Sequence, residues 1–165
     1  MTQISIDDEM KFSVRFAKDV MKRNGTFVTM GIGIMPNGER TIIHMPFENR
    51  EHKYLVAKAV CDMAKKHNIV CWVFMSEVYF KTMHETELAK TDFSNGVESV
   101  PGRLEAIVIS VKTADDQKTT LIPFTKTNGG QIDLGIERTM PNGGDDRLFG
   151  NMFEKSWFWR GYSKQ

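Results

Sequence analysis

Apolar residues recur at helical spacing from the start of the chain. Met10, Val14, Ala17 and Met21 fall on one stripe, widened by Phe12, Phe16 and Val20, which predicts a helix over Ile6 to Arg23. Its ends are marked as well. Ser5 can cap it, Asp7, Asp8 and Glu9 occupy the first turn where the helix dipole favours acids, and Asn24-Gly25 supplies a left-handed stop after Lys22 and Arg23. Thr26 to Ile34 and Arg40 to Pro46 then read as strands. The Met35-Pro36-Asn37-Gly38-Glu39 segment between them is turn chemistry, so they should form a hairpin. A second helix is predicted over Arg50 to His67, capped by Asn49, with Leu55, Ala59 and Met63 as its buried stripe and Val56 and Val60 beside it.

Cys71 to Phe80 is apolar on both faces, Trp72, Phe74, Val78 and Phe80 on one and Cys71, Val73, Met75 and Tyr79 on the other. That is the signature of a central strand covered on both sides. The pattern stops from Lys81 to Gly102, a long polar loop for so small a domain. Leu104 to Lys112 and Lys118 to Phe124 read as a second hairpin around Ala114-Asp115-Asp116, and Gln131 to Arg138 as one further strand. The segment Asp145 to Tyr162 repeats aromatics every four residues and predicts a short terminal helix. The order α-β-β-α-β-β-β-β-α is that of a single α+β domain, a mixed or antiparallel sheet with helices packed on it.

Composition narrows the function more than it names one. With 165 residues the chain can bury a core without disulfides or metals. The net charge of +1 is spread without a basic arm, so nucleic-acid binding through a basic face is not expected. Met1 to Glu9 carries acids where a secretory signal needs a basic and then apolar stretch, and the Ile69 to Met75 run is too short to cross a bilayer. Cys61 and Cys71, read as buried reduced thiols, point to the cytoplasm. No phosphate-cradling glycine loop, zinc-protease motif or nucleophile elbow is present. Gly31-Ile32-Gly33 lies inside a strand and reads as close packing, not as a dinucleotide loop. No cofactor, metal or catalytic residue is assigned. His84, Glu85 and Glu87 carry cation-ligand chemistry but sit in a solvated loop, and Asp115-Asp116 and Asp145-Asp146 lie in turn contexts.

Glu77 is the most informative polar residue, because it interrupts an apolar strand where an unpartnered carboxylate is costly. Arg103 and Glu105 share a face of the next strand, so Arg103 is the first choice of partner. Ser76, Glu77, Tyr79, Arg103 and Glu105 are therefore the candidate binding residues, either a structural ion pair or a polar site beneath the long loop. Among the terminal aromatics, Phe153, Trp157, Phe158 and Trp159 are the candidate interface.

Phe74-Met75-Ser76-Glu77-Val78-Tyr79, followed by Arg103-Leu104-Glu105-Ala106, resembles a group of small uncharacterised bacterial and phage proteins. In that group a strand ending in Ser-Glu-Ala-Trp precedes one that opens with Arg-x-Glu-Ala. This chain has Val78-Tyr79 in place of Ala-Trp. The resemblance spans Ile6 to Lys112 and implies the same element order and a bacterial or phage source, but no activity. The reading is a non-enzymatic cytoplasmic binding or accessory protein, self-associating or docking a protein partner through its C-terminal aromatics. The alternatives are a small hydrolase or nucleotide-processing enzyme, or a protein that sequesters a small ligand, each with its site at Glu77, Arg103 and Glu105.

Overall fold

The computed structural model describes residues 3–47, 49–81, 83–92, 94–95, 99–140 and 152–153, with only the backbone described at residue 50. Helix α1 (Ile6–Asn24) starts where the Ser5 hydroxyl accepts the Asp8 amide. It stops where Gly25, at φ 72°, donates its own amide to the Met21 carbonyl. Strands β1 (Met30–Ile34) and β2 (Arg40–His44) form the expected hairpin, and α2 (Arg50–Lys66) begins at Asn49, whose side chain accepts the His52 amide. Strand β3 (Cys71–Phe80) leads through a one-turn helix α3 (Glu85–Leu88) to β4 (Leu104–Lys112) and β5 (Gln117–Lys126). Two short strands follow, β6 (Ile132–Leu134) and β7 (Arg138–Met140), both paired with β5. Every pairing is antiparallel, in the order β2-β1-β3-β4-β5-β6, so the fold is α+β with β3 inside the sheet.

The alternation read along β3 separates two cores. Cys71, Val73 and Met75 join Ile107, Ile109, Val111 and Ile122 under Met10, Val14, Ala17 and Met21 of α1. On the opposite face Trp72 packs with Met45, Ile69 and the α2 residues Ala57, Val60, Cys61 and Ala64. The two thiols thus lie in different cores, on opposite sides of the sheet. The buried stripe of α2 differs from the predicted one: Leu55 is 67% exposed. The helix instead turns its small residues inward, because the Trp72 indole already fills the space above β1.

That space exists because β1 carries glycines. A Cβ at Gly31 would overlap the Trp72 ring, and one at Gly33 would overlap the Ile69 side chain. The Gly-Ile-Gly run is therefore a seat for the second core, as its place within a strand implied.

The strand predicted over Gln131 to Arg138 is interrupted, and Pro123 explains the interruption. Hydrogen bonds between β5 and the following chain include Thr127 N–H to the Gln131 carbonyl (2.9 Å) and Gly135 N–H to the Pro123 carbonyl (2.7 Å). Pro123 thus occupies a position whose backbone faces β6, where proline has no amide to return. The ladder opens at Gly135, Ile136 and Glu137 and resumes one residue out of step. Phe124 faces Leu134, whereas Thr120 faces Thr139. One extra residue exchanges the two faces of a strand. Ile136 is ejected into solvent at 88% exposure, and Glu137 and Thr139 come to the α1 side.

Two outcomes follow from these cores. Gly31→Ala should destabilise the protein by about 1–3 kcal/mol, the usual range for an overpacked core, as read by urea denaturation. An unchanged midpoint would mean that Trp72 does not rest on β1. Burial pushes the Cys71 thiol up to about 12, with the nearby Glu9 carboxylate adding to the shift. Cys71 should therefore resist iodoacetamide at pH 9 until the protein unfolds. Because the unfolded thiol ionises first, this group makes stability fall as pH rises from about 8.5 towards that value.

Candidate functional site

The five residues singled out around Glu77 do not form one centre. Ser76 and Glu77 are adjacent on β3 and so face opposite sides of the sheet. The Ser76 hydroxyl lies 2.7 Å from that of Thr29. Glu77 is half-buried, as expected, but its partner is not Arg103. Its carboxylate accepts the Phe27 amide at 2.6 Å, where the chain between α1 and β1 runs beside β3 without pairing to it. Arg103 is exposed and stacks its guanidinium over the Tyr79 ring, 5.2 Å from the centroid. Glu105 stands opposite Tyr79 across the β3–β4 ladder, and no ion pair joins it or Glu77 to Arg103 among the described residues. Glu77 is a clip that holds the α1–β1 connection; a charged neighbour was anticipated, and a backbone donor met the need instead.

The remaining predicted residues divide in the same way. Phe153, proposed as an interface residue, is 7% exposed within the chain's own α2-side core, beside Met152. Its burial there removes it from an intermolecular surface. Trp157, Phe158, Trp159, most of the predicted terminal helix and the Asp145-Asp146 pair lie outside the described residues. In the long loop Glu87 pairs with Lys81 at 3.2 Å, and Lys81 also donates to the Pro101 carbonyl at 2.8 Å. Among the described residues no three His, Cys, Asp or Glu side chains are grouped to hold a metal ion.

A concave feature lies elsewhere, between α1 and the β5–β7 edge of the sheet. It is a groove of about 750 Å³, within the usual range for small-molecule sites. Met10 and Val14 of α1 give it an apolar wall. Thr120 and Thr139, their hydroxyls 2.9 Å apart, give it a polar one. Two ion pairs tie the helix to the sheet at the groove, Asp7 with Lys118 and Lys18 with Glu137. The Lys118 ammonium holds the Asp7 carboxyl below its ordinary range, so this tie persists at neutral pH and loosens only as acid protonates Asp7. Lys11 and Arg15, one and two helical turns beyond Asp7, also line the groove and have no ion-pair partner among the described residues.

No protein-family model, curated protein or solved structure matches this chain. The groove therefore has to be read from its own chemistry. Among the described residues, four cationic and three acidic side chains line it, with two threonines and no histidine, cysteine or serine. That set can attract and orient an anion, but it offers no nucleophile with an adjacent base. Sequence reasoning missed the site because Glu137 and Thr139 reach it only through the one-residue slip opposite Pro123. A proline inside an apolar strand was the available signal.

The role of Glu77 predicts a graded response. Glu77→Gln retains an acceptor oxygen and should lower stability little, whereas Glu77→Leu strands the Phe27 amide and should cost about 1–3 kcal/mol. Chemical denaturation of both variants checks this; equal losses would show that the hydrogen bond is not what Glu77 supplies.

Proposed function

We propose that this protein is a non-enzymatic binding module whose ligand seat is the groove between α1 and β5–β7. The ligand class is a small organic anion with an apolar body. The observation that carries the reading is the pairing of two uncommitted cations, Lys11 and Arg15, with the Met10–Val14 wall and the Thr120–Thr139 hydroxyls in one cavity. Cationic side chains would hold a carboxylate or phosphate, the exposed Thr139 hydroxyl, braced by the buried Thr120, would fix its orientation, and the apolar wall would cover its carbon skeleton. The enzymatic alternative centred on Glu77, Arg103 and Glu105 has less support, because Glu77 is engaged by a backbone amide and Arg103 by an aromatic ring.

A cytoplasmic location is part of the proposal. It is supported by two buried thiols on opposite sides of the sheet, which suit a reducing compartment. Among the described residues no helix is long and apolar enough to cross a membrane. The bacterial or phage source implied by the resemblance at Ser76-Glu77 and Arg103-Leu104-Glu105-Ala106 fits the same setting.

Calorimetric titration with octanoate, phenyl phosphate and a mononucleoside monophosphate tests the reading. At least one probe should bind, more weakly as salt rises, and Lys11→Ala/Arg15→Ala should lower its affinity by about tenfold or more with an unchanged melting temperature. Binding that is indifferent to the double substitution, or no binding by any of the three, would contradict it.

A further inference from the structure

Strand β2 is one border of the sheet, and among the described strands it pairs only with β1. Hydrogen bonds at the two ends of the hairpin fix which of its backbone groups are used. Met35 N–H donates to the Glu39 carbonyl at 2.9 Å, and Met45 N–H donates to the Thr29 carbonyl at 3.0 Å. Antiparallel bonds alternate along a strand, so Thr41 and Ile43 bond to β1. The amides and carbonyls of Arg40, Ile42 and His44 point the other way. Such an edge is a template for another strand unless something blunts it. Within Arg40–His44 there is no proline and no lysine, and Ile42 is 59% exposed.

We propose that β2 pairs with β2 of a second copy of this chain about a two-fold axis through Ile42, joining two sheets into one. The hydrogen-bond parity sets the register of this pairing. A two-fold centred on Ile42 sets Ile42 against Ile42 of the second copy and Arg40 against its His44. These are the residues whose backbone groups face outward, so each pair exchanges both bonds. An axis through Thr41 or Ile43 would pair only two of the three outward residues, leaving His44 against Gly38 or Arg40 against Pro46, so the Ile42 axis uses the edge most fully.

Side chains agree with this arrangement. Residues directly opposite share a face, so both Ile42 side chains meet on the α1 side. Phe12 of α1 continues that surface: it is partly exposed and stacks on Phe16 with ring centroids 6.4 Å apart. Charge does not oppose the contact, because Arg40 is neutralised by Glu9 through two hydrogen bonds of 2.8 and 2.7 Å and lies over the Phe12 ring. Its guanidinium is thereby drawn towards α1. Five paired residues with Ile42 and Phe12 from each copy bury less than the roughly 1,600 Å² of a standard interface, which fits a reversible, micromolar dimer. This proposal is independent of the ligand groove, which lies at the other border of the sheet.

Sedimentation velocity on the full chain, from low to several hundred micromolar, should show a monomer–dimer equilibrium. Ile42→Pro removes only an outward-facing amide, a position where an edge strand tolerates proline, and should weaken dimerisation by at least about tenfold with circular dichroism unchanged. Ile42→Lys guards against a folding defect specific to proline and should act alike. Ile42→Cys should cross-link to itself under mild oxidation, since paired Cα atoms at that register lie about 5.5 Å apart, whereas Arg40→Cys should not. A wild type that stays monomeric throughout would overturn the proposal. So would a dimer that survives both Ile42→Pro and Ile42→Lys, or one in which Ile42→Cys fails to cross-link, and these last outcomes would place the interface elsewhere.

Discussion

A missing amide organises the groove-bearing border of this protein. Pro123 sits in β5 at a position whose backbone faces the next strand, and the chain opposite has no donor to meet there. One residue is pushed out, and the following residues change sides. Without that slip, Glu137 and Thr139 would stand on the face away from α1, and the groove would lose its ion pair to Lys18 and half of its threonine wall. The cavity is thus a consequence of backbone chemistry in a strand that contributes only Lys118 and Thr120 to its lining.

The rest of the sheet serves to hold α1 in place above that border. Two ion pairs tie α1 to the β5 side, and Arg40 grips Glu9 from the β2 side. Between them a dry core of methionine, valine and isoleucine fills the interface. On the opposite face Gly31 and Gly33 of β1 make room for Trp72 and Ile69, and α2 packs there through alanines, a valine and a cysteine. Glu77 closes the one stretch where the chain runs along β3 without a ladder.

Elements whose signals are local were legible in the sequence. The caps at Ser5, Gly25 and Asn49, the Pro-Asn-Gly turn and the two-sided apolar run of β3 each follow from a few neighbouring residues, and each is where the spacing put it. What escaped depends on distant residues. The stripe of α2 is set by Trp72, the break between β6 and β7 by Pro123, and the partner of Glu77 by a backbone amide fifty positions away. Periodicity shows that a residue is buried or paired, but not against what. The groove escapes the sequence for the same reason: it needs a register change between strands, and the arginine matched to Glu77 by pattern stacks on Tyr79 instead.

The register change is therefore the feature to measure. Cross-strand Hα–Hα contacts by solution NMR report it directly, because facing residues in non-hydrogen-bonded pairs approach most closely. The slip opposite Pro123 places Phe124 against Leu134 and Thr120 against Thr139, and both pairs should give contacts. A contact between Thr120 and Arg138 in place of the second would mean one uninterrupted register from β6 to β7, with Glu137 and Thr139 turned away from α1, and would rule out the slip.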